Sequence, residues 1–221
     1  MKLSKDTLSV FKNFAGINSN LLLKTGSKLA TISAQKNVMA DTVVTESFPV
    51  DFGIYDLNEF LGAMSLFDDP ELDFSDKFVS ISQGNMKIKF FAADASVLTA
   101  PTKAITFPEA EINFELSNQM LTMIQRTASV LKASDVSIVG DGSSITCVVG
   151  DKKNATGNSF SEPVGTTDKN FKVNLKVENL KMIPGDYSVS VSSKKISRFK
   201  STTQSDLVYY VAVEADSTFD F

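Results

Sequence analysis

The chain has 221 residues, 43% of them hydrophobic and 22% charged, with a formal net charge of −4. That balance excludes a disordered or collagen-like chain, and no apolar run is long enough to span a bilayer. There is no histidine, no tryptophan and one cysteine, Cys147, so Ser-His-Asp triads, Cys-His pairs, histidine metal sites, zinc–cysteine clusters and internal disulfides are all ruled out. A binding or structural protein leads over an enzyme. The opening residues Met1 to Asp6 lack the apolar core of a signal peptide, so the expectation is a cytoplasmic protein.

The first predicted element is a helix over Leu3 to Ala15. Leu3, Thr7, Val10, Phe11 and Phe14 recur at helical spacing, with Ser4 as N-cap. Lys5 and Lys12, seven residues apart, fall on the opposite line. A turn-linked strand pair follows over Leu21 to Ala40. From Asn37 to Asp76 there is no lysine or arginine, while Asp41, Glu46, Asp51, Asp56, Glu59, Asp68, Asp69, Glu71, Asp73 and Asp76 accumulate. Such asymmetry predicts one acidic and one basic surface, or ordinary solvated faces. A strand from Val50 feeds a short helix, Leu57 to Leu66. Phe78 to Ser82 and Met86 to Phe90 then alternate with period two across Gly84-Asn85.

Ala100 to Asn113, with Pro101 and Pro108, reads as a linker. The next helix spans Leu116 to Ala133. Its predicted apolar side is Leu116, Met120, Met123, Ile124, Thr127, Val130 and Leu131; its polar side is Asn118, Thr122, Gln125, Ser129 and Lys132, flanked by Arg126. A strand pair, Val136 to Val149, follows. A strand from Phe171 feeds another short helix, Glu178 to Met182, which stops before Pro184-Gly185. Alternating strands from Tyr187 to Val213 close the chain.

The same order of elements therefore occurs twice, Phe78 and Tyr187 standing at equivalent points. This predicts a duplicated α+β unit with antiparallel sheets: a first domain over 1–105, a linker over 106–114 and a second domain over 115–221. Two unrelated halves whose order coincides is the alternative. No acidic residue occurs between Leu116 and Ser134. A solvated helix face gains from mixing Glu with Lys, so an acid-free face suits a negative partner such as phosphate. The basic residues are sparse and neither interleaved with aromatics nor set in an Arg-, Asn- and Gln-rich recognition helix, so contact with DNA would be to the backbone and blind to sequence.

Other signals carry less. Asp68, Asp69, Glu71, Asp73 and Asp76 lack the Gly and terminal Glu of a calcium loop and read as solvated. A carboxylate-dependent hydrolase is the enzymatic alternative. Asn154-Ala155-Thr156 has the form of a glycosylation sequon, without meaning in a cytoplasmic protein. Cys147 lies in an apolar strand and reads as core. No Gly-rich phosphate loop exists, so no ATP hydrolysis is expected.

Met1-Lys2-Leu3-Ser4-Lys5-Asp6-Thr7, Ile54-Tyr55-Asp56-Leu57-Asn58-Glu59-Phe60-Leu61-Gly62, Met182-Ile183-Pro184-Gly185-Asp186-Tyr187 and the C-terminal stretch Tyr210 to Phe221 resemble the DNA sliding clamp, the polymerase processivity factor of large myovirus-type tailed bacteriophages. More distantly they resemble proliferating cell nuclear antigen. Glu59 and Phe219 depart from the pattern, and residues about 150–170 do not match it.

The resemblance implies a ring of three subunits, each with two clamp domains, helices lining the hole and sheets outside. It implies a non-enzymatic clamp that encircles duplex DNA and tethers the replicative polymerase, needing no cofactor. Lys5, Lys12, Arg126 and Lys181 match basic positions on inner helices, and helical spacing adds Lys132. Pro184, Tyr210 and Ala212 match a pocket for partner peptides, with Phe107 and Pro108 on the linker beside them. Implied partners are duplex DNA, the polymerase, a clamp loader and late-transcription factors, in the cytoplasm of the infected bacterial host. A non-enzymatic phage structural or adaptor protein is the alternative.

Overall fold

The computed structural model describes residues 1–154, 156–204 and 206–221; Ala155, and with it part of the Asn154-Ala155-Thr156 sequon, lies outside the described residues, as does Ser205. The chain forms two compact units, Met1–Ala104 and Ile105–Phe221.

Unit one runs α1 (Lys5–Ala15), β1 (Leu21–Leu23), β2 (Gly26–Ile32), β3 (Val38–Phe48), β4 (Phe52–Ile54), α2 (Leu57–Met64), β5 (Glu71–Phe74), β6 (Phe78–Gln83) and β7 (Met86–Phe91). All its pairings are antiparallel: β1 with β4, β2 with β3, and a meander β5-β6-β7. Helix α1 starts where Ser4 Oγ accepts the Thr7 N–H at 3.2 Å. The Glu46 carboxylate accepts from both the Ser4 N–H and the Thr7 hydroxyl, fastening the helix to β3. Burial pushes the Glu46 pKa up, but these hydrogen bonds outweigh it and hold the carboxyl below its ordinary range.

The buried stripe of α1, Thr7, Val10, Phe11 and Phe14, agrees with its spacing. Phe11 packs on Phe48 at 6.3 Å and Phe60 at 6.2 Å between ring centroids. Phe60 meets Phe90 at 5.2 Å, and Phe74 stands edge-on to Phe48 and Phe52 at 5.8 and 5.3 Å. One chain of rings thus joins α1, α2 and the strands around them, each pair contributing about 0.5–1.5 kcal/mol beyond its burial. Helix α2 ends at Met64 rather than Leu66: Ser65 caps it, and Leu66 is 70% exposed. Its apolar side chain therefore did not extend the helix.

Unit two runs β8 (Ile112–Leu116), α3 (Asn118–Leu131), β9 (Asp135–Asp141), β10 (Ser144–Gly150), β11 (Ser159–Thr166), β12 (Asn170–Lys176), β13 (Tyr187–Ser192), β14 (Ile196–Ser201), β15 (Val208–Ala212) and β16 (Thr218–Phe219). One group of strands is ordered β8-β13-β14-β15, the other β11-β10-β9-β12-β16, again antiparallel throughout. Gly140 in β9 is required because a Cβ there would meet the Phe171 ring at 2.4 Å.

Three expectations fail here. The end of the predicted linker, Ile112 and Asn113, is strand, paired with Val191 and Ser190. The predicted helix at Glu178 to Met182 is only a 3-10 turn, Val177–Asn179; five residues before a Pro-Gly pair cannot repay helix nucleation. The stripe of α3 is also rotated. Met120, Leu121, Ile124 and Ala128 are buried, whereas Met123 is 41% and Val130 79% exposed. Val130 stands two residues beyond buried Ala128, more than half a helical turn round, and so faces outward.

A charge clasp closes this unit. Asp135, buried in β9, accepts from Lys176 at 2.8 Å and lies 3.4 Å from Lys152, which also reaches Asp216 at 2.8 Å. Burial raises the Asp135 pKa, yet the hydrogen bonds from Lys176 and Ser134 and the charge of Lys152 hold it below normal. Cys147 in β10 is fully buried, as expected; burial alone pushes its thiol up to about 12, which makes it inert at neutral pH.

Candidate functional site

The basic candidates occupy exposed positions. Lys5 opens α1 and Lys12 lies in its last turn, both opposite the buried stripe. Lys12 also complements the negative end of the helix dipole. Arg126 is exposed on α3, and Lys132 is its exposed C-cap, in the left-handed region at φ 53°. Lys5, Lys12, Arg126 and Lys132 have no ion-pair partner among the described residues. Lys181 is exposed, but it stands on the segment after the 3-10 turn and not on a helix, which corrects its helical assignment. Gln125 Nε2 donates to the Leu180 carbonyl at 2.9 Å, so this segment is tied to α3 next to Arg126. Each helix by itself thus bears single exposed cations on rigid backbone, with no fork aimed at a base, a pattern that can hold a polyanion loosely.

The acid-rich stretch is less of a free acidic surface than its composition predicts. Asp51 is paired with Lys24 at 2.7 Å and accepts the Thr25 N–H at 2.8 Å, which hold its carboxyl down at about 2. Asp41 pairs with Lys28 and Asp69 with Lys2. Asp56 caps α2, accepting from Asn58 and Glu59 at 2.9 and 3.1 Å. Asp68, Glu71, Asp73 and Asp76 remain exposed around β5. Among the described residues no group of three or more carboxylates or cysteines is placed to hold a metal.

The peptide-pocket candidates come together in part. Phe107 lies 6.2 Å from the Tyr210 ring, and Pro108 follows it, half-buried. Tyr210 and Ala212 share one half-buried face of β15, while Tyr209 and Val211 point into the core. Pro184 is exposed in the turn before β13. That turn is pinned differently: Ile183 N–H donates to the Tyr209 hydroxyl at 3.1 Å, and the Tyr187 hydroxyl donates to the Ile183 carbonyl at 2.5 Å. Burial raises both tyrosine pKa values, so both stay neutral.

Two features escaped sequence reasoning. Strands β7 and β11 each end a sheet and carry an unpaired row of backbone groups. β7 exposes Met86 and Phe91, with Lys87 and Lys89 between them. β11 lies within residues about 150–170, which did not fit the clamp pattern in the sequence. It borders a cleft of about 510 Å³ lined by Met120 and Met123 of α3 with Phe160, Glu162, Pro163 and Val164. Pro163 is tolerated because β11 is an edge strand. The alternation of β7 was readable; that it ends a sheet was not.

Residues 4–107 match the family described as DNA polymerase processivity factor, and residues 113–215 match the family described as gp45 sliding clamp, C terminal. The sliding clamp of Vibrio phage KVP40 is 35% identical over 97% of this chain and all of its own length. That of Enterobacteria phage T4 is 34% identical over the whole of both chains. Among solved structures, proliferating cellular nuclear antigen from Entamoeba histolytica superposes with a TM-score of 0.68 at 16% identity, covering 93% of this chain and 94% of the other. A. fulgidus PCNA, solved with the C-terminal region of FEN-1, gives 0.67 at 14% identity over 95% of each chain. These two likenesses are of fold.

Proposed function

The chain belongs to the family of sliding clamps, the DNA polymerase processivity factors, and from that premise we propose that it encircles duplex DNA as a ring of three copies and tethers the replicative polymerase. It performs no chemistry. The carrying observation is the pair of helices whose exposed sides bear Lys5, Lys12 and Arg126 without ion-pair partners. These residues, with Lys132 and Lys181, meet phosphates. Few and exposed, they neutralise charge without fixing register, so the ring slides. Each neutralised phosphate adds about 0.9 to the salt slope on duplex DNA, and retention depends on closure of the ring.

Closure needs a heterologous contact, one surface of each copy against a different surface of the next. Two of the sheet edges, β7 and β11, supply it. β7 offers Lys87 and Lys89 with apolar Phe91, and β11 offers Glu162 beside the cleft under Met123. Pairing β7 of one copy with β11 of the next satisfies both backbone rows and covers Val130 and Phe91. The Phe107–Tyr210–Ala212 surface, with Pro108 next to Phe107, is where short peptides of the polymerase dock, and exposed Pro184 in the turn before β13 is assigned to the same role. The clamp loader and late-transcription factors compete for the same surface, in the cytoplasm of the infected bacterium.

Sedimentation tests the ring. Three chains of 24.0 kDa make about 72 kDa, approached as concentration rises; a monomer at every concentration sinks the ring. Primer extension on circular templates tests the DNA face. Lys5→Glu with Lys12→Glu is expected to shorten products made with clamp loader and polymerase while leaving sedimentation unchanged; full-length products from this variant would remove both lysines from the DNA path.

A further inference from the structure

Arg198 occupies the centre of the sheet face that carries Tyr210 and Ala212. Register places it opposite Tyr210 on one side and Ser190 on the other. Its guanidinium lies 4.6 Å from the Phe107 ring centroid, and that ring is 6.2 Å from Tyr210, so one cation and two rings form a single layer. One Nη donates to Ser190 Oγ at 3.2 Å. Among the described residues the Nε–H is buried without an acceptor, and no carboxylate lies within ion-pairing distance of the guanidinium.

This is an unusual use of an arginine. The chain has two arginines against 20 lysines, and a lysine would supply charge alone. Arginine adds a planar fork that stacks on aromatic rings and grips a carboxylate through two parallel N–H groups. The stacking half of that capacity is used here and the carboxylate half is not. An unsatisfied N–H out of water costs free energy until an acceptor arrives. Lys200, two residues on and exposed on the same side of β14, adds a second positive charge.

We infer that Arg198 is a specificity residue of the docking surface: it receives a carboxylate of the partner peptide, beside the apolar anchor that packs on Phe107 and Tyr210. The inference rests on the docking role proposed above for that surface. A small shift of the side chain turns Nε–H and Nη toward the incoming group as a fork. Peptides with an acid next to an aromatic or aliphatic anchor are thereby preferred over purely apolar ones. The carboxylate is either an Asp or Glu side chain or the peptide's own C-terminus.

The test is a selection of short random synthetic peptides on the full chain, half of the library with free and half with amidated C-termini. Affinities of the selected peptides are then read by fluorescence anisotropy. Expected are peptides pairing an apolar anchor with a carboxylate; Asp→Asn replacement, or amidation where the terminus is the source, weakens binding about ten- to a hundredfold, the range for a charged hydrogen bond. Arg198→Met is expected to bind acidic and neutral versions equally, and Arg198→Lys to recover only part of the difference. Equal affinity of wild-type protein for acidic and neutral peptides overturns the inference while leaving the pocket intact. Should Arg198→Met not fold, the peptide series on wild-type protein decides alone. Selected peptides whose binding survives Tyr210→Ala, or a selection that yields none, overturn the docking role itself.

Discussion

In the first unit the helix–sheet layer is closed by phenylalanine rings, Phe11 touching Phe48 and Phe60, and Phe74 touching Phe48 and Phe52. In the second unit α3 brings no aromatic ring to its sheet, burying Met120, Leu121, Ile124 and Ala128, and the unit is closed by the Lys176–Asp135–Lys152–Asp216 clasp. Helix α1 has one apolar side and an exposed polar one. Helix α3 has a buried side and, separately, exposed Met123 beside the β11 cleft and exposed Val130. Duplicated units thus share an order of elements but not the chemistry that holds them. Both units also leave apolar side chains exposed, Met86 and Phe91 on β7 of the first and Met123 and Val130 on α3 of the second.

The largest effect should follow from breaking the aromatic side of this comparison. Phe11→Ala removes a fully buried ring and is expected to destabilise the protein by about 3–5 kcal/mol, read by urea denaturation. A loss below about 1 kcal/mol would mean that the ring chain does not organise unit one.

Next comes the clasp. Asp135→Asn is expected to cost about 1–3 kcal/mol at neutral pH, because Lys176 loses its charged acceptor in a partly buried place. The folded Asp135 pKa is depressed, so its stabilisation is present above the unfolded carboxylate value of about 3.9 and is lost as pH falls through the lower folded value. Thermal unfolding should therefore show a steeper acid limb for wild type than for Asp135→Asn. Parallel limbs would show that the clasp contributes nothing through Asp135 ionisation.

The smallest effect on stability sharpens the contrast between helices. Val130→Ser, at a residue 79% exposed, should change unfolding free energy by no more than about 0.5 kcal/mol, yet move ring assembly to higher concentration in sedimentation. Unaltered assembly would remove Val130 from the proposed contact.

The duplicated α+β order, the start of α1 at Ser4 and the buried stripe of α1 were legible because each rests on local chemistry: a cap, a period and a turn. The exposed placement of Lys5 and Lys12, opposite the buried stripe of α1, was legible for the same reason. Lys181 was misplaced because the 3-10 turn ends before it. Arg198 could have been noticed from the alternation of Ile196, Arg198 and Lys200 in β14, since Ser197, Phe199 and Ser201 fill the other side. Its neighbour Phe107, however, is distant in sequence.

By itself, then, the sequence determined the repeated order of the long helices and main strand runs, the exclusion of histidine chemistry and the family to which the chain belongs. Only the tertiary structure decided which arc of α3 meets the sheet, which strands end a sheet, and which carboxylates of the acid-rich stretch are already paired. The reason is physical. Caps and periodicity act within a few residues, whereas helix rotation, sheet edges and ion pairs depend on partners far along the chain, whose positions are set by packing.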